Sequence, residues 1–231
     1  MLTIKTILIL TITSGFFSFA FRVRADLFGD YVYRDTQEVE QRRTVGSGSR
    51  SGCQSNIDEN SVSLLVPERE VVHQTSLERP TLFIITDRAF RSMPFKFTLV
   101  NPQTTETLVE KDFLVSSNGI KEIELPEATQ LKYNEIYLWY VAIPCVNKPT
   151  EYREVLGAAI KRRQPDKQLE TQLQQAKTEL QTAAIYAENG FWYDALELAV
   201  KEENDADFEG KDRANPMNYL SQLLSSAGLS P

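Results

Sequence analysis

The catalytic chemistry open to this chain is limited by its nucleophiles and ligands. His73 is the only histidine and Cys53 and Cys145 are the only cysteines. No Gly-x-Ser-x-Gly or comparable nucleophile setting accompanies His73, so scattered serines and acids do not amount to a triad. A solvated histidine at a strand edge is the expectation. One histidine and two cysteines bound for pairing leave no ligand set for zinc or another soft metal. Gly46, Gly48 and Gly52 lie in a polar stretch with no flanking strand and helix, so they do not make a phosphate-cradling loop.

Asp205-x-Asp207-x-Glu209-Gly210 imitates the opening of a calcium loop. The fifth ligand position is Glu rather than Asp or Asn, and Pro216 stands where the bidentate Glu belongs. Asp205, Asp207 and Glu209 are therefore a weak calcium candidate, and a solvated acidic linker is the expected structure. Cys53 and Cys145 both follow an export signal, and two cysteines in an oxidising space pair by default. Their bridge would close a loop of about ninety residues, worth roughly 4 to 5 kcal/mol in the loop-entropy picture. The other reading is two unpaired thiols, with Cys145 buried on a strand. Without Cys-x-x-Cys no redox role follows.

The export signal is Lys5 followed by an apolar run from Ile7 to Phe21. That run is shorter than the roughly twenty residues of a membrane span. Val23-Arg24-Ala25 offers a cut before Asp26, and Ser18-x-Ala20 a second site before Phe21. Arg22 and Arg24 resist translocation, which keeps an uncleaved anchor as the alternative. Removing Lys5, Arg22 and Arg24 with residues 1–25 takes the formal charge from −7 to −10. So acidic a chain repels phosphates, which argues against nucleic acid or anionic lipid as partner.

Residues 26–61 are polar and without apolar period, and read as a flexible leader in which Arg42, Arg43 and Arg50 are solvating charges or a patch for an acidic partner. From residue 62 to 162 the pattern changes to short β-type runs: Val62 to Val66, Thr81 to Thr86, Phe95 to Val100, Thr107 to Val115, Ile120 to Leu125, Glu135 to Pro144 and Tyr152 to Ile160. Phe95, Phe97 and Leu99 alternate with Lys96 and Thr98, as a half-wetted strand does. Ile136 to Ile143 is apolar on both faces, which predicts a central strand with Trp139 in the core. Such spacing predicts an all-β, antiparallel, Ig-like sandwich.

After Pro165 the period is helical. Leu169, Leu173, Ala176, Leu180, Ala183 and Ala187 predict one helix capped by Asp166 and stopped by a turn at Asn189-Gly190. A second apolar pattern runs from Phe191 to Val200, and Asn215-Pro216 starts a further short helix ending before Gly228. Residues 166–228 thus read as a C-terminal helical hairpin plus one short helix. The centre, Tyr186 to Leu196, matches a single tetratricopeptide-like repeat, and Ala183, Ala187, Ala195 and Ala199 are expected to line its seam. Consecutive helical residues point about 100° apart, so one face cannot bury Phe191, Trp192 and Tyr193 together. At least one is expected to be exposed as a partner contact.

The chain resembles the cyanobacterial "domain of unknown function 928" proteins. The resemblance rests on Arg42-Arg43 before Gly52-Cys53, Leu65-Val66-Pro67, Pro80-Thr81, Tyr137-x-Trp139, Cys145, and Tyr186-Ala187-Glu188-Asn189-Gly190-Phe191-Trp192-Tyr193-Asp194-Ala195-Leu196. Leu223-Leu224 with Gly228-Leu229 extends it, and Tyr219 departs from it by standing in place of a tryptophan. It implies an exported cyanobacterial protein and carries no activity over to any residue. The expectation is a non-catalytic envelope scaffold or adaptor, periplasmic or extracellular, without a cofactor and with a protein partner. The alternative is a ligand-binding module with Trp139 or Trp192 as a stacking platform for a saccharide or small molecule.

Overall fold

The computed structural model describes residues 61–229 apart from 70, 88–89, 91–92, 146–147 and 209–218, and at 148–150, 153–154 and 205–208 only the backbone. The expected signal segment, the leader with its arginines, Cys53 and Glu209 lie outside the described residues.

Eight strands and four helices follow in chain order: β1 (Val62–Leu64), β2 (Val72–Thr75), β3 (Leu82–Thr86), β4 (Met93–Asn101), β5 (Glu106–Val115), β6 (Gly119–Ile123), β7 (Ile136–Cys145), β8 (Lys148–Arg162), α1 (Lys167–Gln175), α2 (Glu179–Glu188), α3 (Trp192–Phe208) and α4 (Tyr219–Ser226). The strands form two sheets, ordered β1-β3-β6 and β2-β8-β7-β4-β5. β7 lies third of five with neighbours on both sides, which is why its sequence is apolar on both faces. Phe95, Phe97 and Leu99 of β4 are wholly buried, and Trp139 from β7 joins Phe97 at a centroid distance of 6.5 Å.

Two departures from the expected all-antiparallel, Ig-like sandwich are evident. β2 is absent from the predicted strands, and it pairs parallel with β8, from Val72 opposite Ala159 to Thr75 opposite Arg162. The cause of the omission is the mixed Val-His-Gln-Thr composition, which has neither alternation nor an apolar run. The Asn118-Gly119 turn, with Gly119 at φ +91°, carries the chain from β5 in one sheet to β6 in the other.

The expected long helix is two. Thr178 caps α2 by accepting the Gln181 N–H at 3.1 Å, while the Gln181 side chain accepts the Lys177 N–H at 2.7 Å. This is close to a capping box, and it lets the chain restart a helix where the apolar period alone runs on. Asp166 caps α1 as expected, accepting the Leu169 N–H at 2.9 Å.

The helices do not stand apart from the strands. One apolar cluster runs from Leu64, Phe83 and Trp139 to Ala183 and Ala187 on α2, Trp192, Ala195 and Ala199 on α3, and Leu223 and Leu224 on α4. The four alanines expected at a helix seam are buried, and α2 and α3 are in contact. α4 ends as α2 does, on a glycine of positive φ: Gly228 sits at +72°, and the Leu229 N–H reaches the Leu224 carbonyl at 2.9 Å.

Candidate functional site

The turn that leads into α3 sets the geometry of the joint between helices and sheets. Asn189 is the C-cap of α2 and Gly190 takes φ +79°, a conformation that favours glycine. The Gly190 N–H donates to the Ala187 carbonyl at 3.2 Å and the Phe191 N–H to the Tyr186 carbonyl at 2.9 Å, the paired bonds of a Schellman stop. The hydrophobic contact that accompanies such a stop is Phe191 on Tyr186, with centroids 5.9 Å apart.

From there the next three side chains fan out by helical rotation. Trp192 turns toward the three-stranded sheet, its Nε1–H donating at 2.8 Å to the carbonyl of Leu65, just past β1. Tyr193 turns toward the five-stranded sheet, where its hydroxyl accepts from Trp139 Nε1 at 2.9 Å and contacts the Ala159 carbonyl at 3.4 Å. Burial pushes the Tyr193 hydroxyl well above its ordinary range, so it stays a neutral donor and acceptor.

Phe191, Trp192 and Tyr193 are 3%, 0% and 0% exposed, which corrects the expectation that one of them is a surface contact. The rotation argument holds for one face. It fails because this helix end enters where two sheets and α2 converge, so every direction around it is interior.

Asp194, the third residue of the fan, is a buried carboxyl. It accepts the Ser76 N–H on both carboxylate oxygens, at 3.1 and 3.0 Å, and the Ser76 hydroxyl as well. Ser76 follows β2 directly. Burial pushes the Asp194 carboxyl up to about 6, the nearby Glu197 charge adds to the rise, and the donors of Ser76 and Thr75 oppose it. One turn along α3, Glu197 accepts the Thr81 N–H at 3.1 Å. Two carboxylates on one helix therefore grip both ends of the segment 76–81. Arg162 holds the same segment from β8, donating from Nε to the Ser76 carbonyl at 3.3 Å and pairing with Glu78 at 3.6 Å.

This arrangement fastens the chain to itself. The Ser76 hydroxyl and N–H both donate to the Asp194 carboxylate. His73 is 1% exposed and its Nε2 bonds the Glu68 carbonyl at 2.9 Å, so the expected solvated histidine is a buried one. β2 is an edge strand, as expected for His73, but its residues are covered.

Neither Trp139 nor Trp192 has an exposed ring face, which removes both as stacking platforms. Asp205 and Asp207 lie on α3, which continues to Phe208. A helical backbone there is not the turn of a calcium loop, and this corrects the acidic linker expected at those positions. Cys145 closes β7, 3% exposed and without a free thiol. Its expected partner Cys53 is outside the described residues.

Apart from the joint, a cleft of about 190 Å³ opens between α1 and the α2–α3 turn, lined by Arg163, Asp166, Leu169, Asn189 and Phe191. Sequence reasoning found Asn189 and Phe191 for other reasons and missed Arg163. It also missed Asp194, whose only sequence signal is an acid in the first turn of a helix, a common placement on dipole grounds.

The family model described as Domain of Unknown Function (DUF928) matches residues 45–231. The chain belongs to the DUF928 family. No curated protein matches it. The DUF928 match spans both sheets and all four helices, and so covers the whole joint at Phe191 to Asp194.

Proposed function

We propose that this DUF928 protein is a non-catalytic scaffold or adaptor exported to a cyanobacterial cell envelope. Export is supported by Lys5, the apolar run to Phe21 and the small residues before Asp26. The non-catalytic reading is supported by Asp194, whose carboxylate is engaged by the chain's own Ser76 and Thr75. The single tetratricopeptide-like hairpin belongs to this proposal as a structural element: its small residues let α2 and α3 approach, and its aromatics fix it to the sheets.

The observation that carries the adaptor reading is β5. It is a ten-residue edge strand with no strand beyond it among the described residues, and Leu114 on it is 66% exposed. Such an edge is a template for an added strand. Its charges make it selective. Lys96 holds Glu110 at 3.0 Å and Asp112 at 3.4 Å, and Lys111 turns inward to the Glu124 carbonyl and the Phe97 ring. Glu106, Glu110 and Asp112 remain exposed, so the complementary partner is an extended segment carrying basic residues. Leu114→Lys should abolish partner capture from envelope fractions while leaving the thermal midpoint within the range of surface substitutions. Capture undiminished by this substitution would contradict the reading.

The same proposal includes a Cys53–Cys145 bridge that ties the leader to the end of β7. Reduction should then lower the denaturation midpoint by the equivalent of about 2 to 4 kcal/mol. Two thiols titrating in the native, freshly purified protein would refute the bridge.

A further inference from the structure

The β5 edge carries more acidic charge than the described residues balance. Lys96 is shared between Glu110 and Asp112, whose side chains are 57% and 62% exposed, and the Lys111 ammonium is turned to the Glu124 carbonyl. Glu106 opens the same strand and is exposed as well. An edge charged in this one-sided way selects a basic segment to lie along it.

The chain's own leader ends beside this edge. Its exit point is fixed at Ser61, whose carbonyl accepts the Asp87 N–H at 3.1 Å. Val62 lies opposite Thr86 and Thr86 opposite Gly119, so the leader leaves two strand spacings, about 10 Å, from the turn that follows β5. The Thr86 hydroxyl ties the two together, donating to the Ser117 carbonyl at 3.1 Å. The proposed Cys53–Cys145 bridge would hold the leader at this same end. Lys96 has Ala142 opposite it on one side and Asp112 on the other, and Cys145 and Val115 each stand three residues further on.

The charges match in sign and in spacing. From Gln41 to Gly52 the leader carries Arg42, Arg43 and Arg50 and no acid. Seven positions separate Arg43 from Arg50 and six separate Glu106 from Asp112, so an extended chain at about 3.3 Å per residue sets both basic groups level with acids. Thr44 to Ser49, between them, are small and uncharged. The eleven positions from Arg50 to Ser61 span more than the required distance. A segment tethered this closely meets the edge at an effective concentration near the millimolar range, above that of a separate chain in dilute solution.

We propose that the leader from Arg42 to Arg50 lies along β5 of its own chain, with Arg50 at Asp112 and Arg43 at Glu106, and that an outside segment gains the edge by displacing it. This rests on the reading of β5 as a segment-binding edge and adds its regulation. Replacing Arg42, Arg43 and Arg50 together by Ser should therefore raise partner capture about fivefold, the value of two exposed ion pairs.

Zero-length crosslinking tests the docking without any partner. In the full chain, Arg43→Lys and Arg50→Lys place amines at the two basic positions, and a carbodiimide joins them to carboxylates in contact. Peptide mass spectrometry should find these lysines linked to Glu106, Glu110 or Asp112 within one molecule, at a yield independent of protein concentration and several-fold lower in about 0.5 M salt. Links that form only between two chains and rise with concentration would overturn the proposal and give the edge to a second copy. Links spread over remote acids such as Glu170 and Glu202 as readily as over β5 would overturn it too. Intramolecular β5 links with capture unchanged by Leu114→Lys would uphold the docked leader and remove the adaptor reading, whereas lost capture without such links would do the reverse.

Discussion

Trp192→Ala should destabilise the whole protein by about 3 to 5 kcal/mol, as the loss of a large core aromatic does. The ring is wholly buried, and its Nε1–H satisfies the Leu65 carbonyl, which the substitution would leave without this donor. A surface aromatic, as the sequence suggested, would cost less than about 1 kcal/mol and shift only binding. Denaturant titration separates the two. Tyr193→Phe is the finer companion: it keeps the ring and removes only the hydroxyl that Trp139 uses, so its cost should be about 1 to 2 kcal/mol.

The second large effect is a pH dependence centred on Asp194. Its carboxyl stands at about 6 in the folded protein against an ordinary 3.8, so the fold holds a proton that the unfolded chain has released. The stabilisation from this proton is complete below the unfolded value and disappears as pH rises through the folded one. Two units amount to about 3 kcal/mol lost between roughly pH 4 and 7.

The groups facing Asp194 set this window. Glu197 on the same helix disfavours its charge, while Ser76 and Thr75 favour it. The neighbouring Tyr186 hydroxyl on α2 is itself raised, chiefly by burial. Arg162 reaches the Ser76 carbonyl but not the carboxylate. Asn at position 194 resembles the protonated acid, so Asp194→Asn should flatten the stability profile across that range. Equal slopes in the two proteins would show that Asp194 does not hold this proton. Asp194→Ala should be worse than Asn at every pH, because Ser76 loses its acceptors.

The parts of this fold that could be read from sequence are those governed by local pattern. β4 alternates and β7 is apolar throughout, and each lies where its pattern puts it, β7 between neighbours and β4 with one face in the core. Asp166 and Gly190 act through bonds to residues within a few positions, so cap and stop were legible too. The misses share a different cause. β2 is held by a parallel pairing to β8 and by Asp194, a residue 118 positions from Ser76. Nothing within a window of sequence reports such partners. The break at Thr178 was local, but a run of spaced apolar residues concealed it.

The three aromatics fail for an instructive reason. Helical rotation gives the directions of Phe191, Trp192 and Tyr193 correctly, and they do diverge. What rotation cannot give is how many of those directions are occupied. Here all of them are, by α2, by the end of β1 and by β7 with β8. The adaptor reading consequently rests on the β5 edge and no longer on the helices, and Leu114 replaces the aromatic run as the residue to change.

The central claim is that α3 and both sheets form one body joined at Phe191 to Asp194, and cooperativity of unfolding tests it most directly. Equilibrium denaturation of the full chain should be followed at once by far-ultraviolet circular dichroism, dominated by the helices, and by fluorescence of Trp139 and Trp192. The account predicts a single transition with coincident midpoints and equal slopes in both signals. A helical signal lost at lower denaturant than the tryptophan signal would mean that the helices detach as a separate unit, and would contradict it.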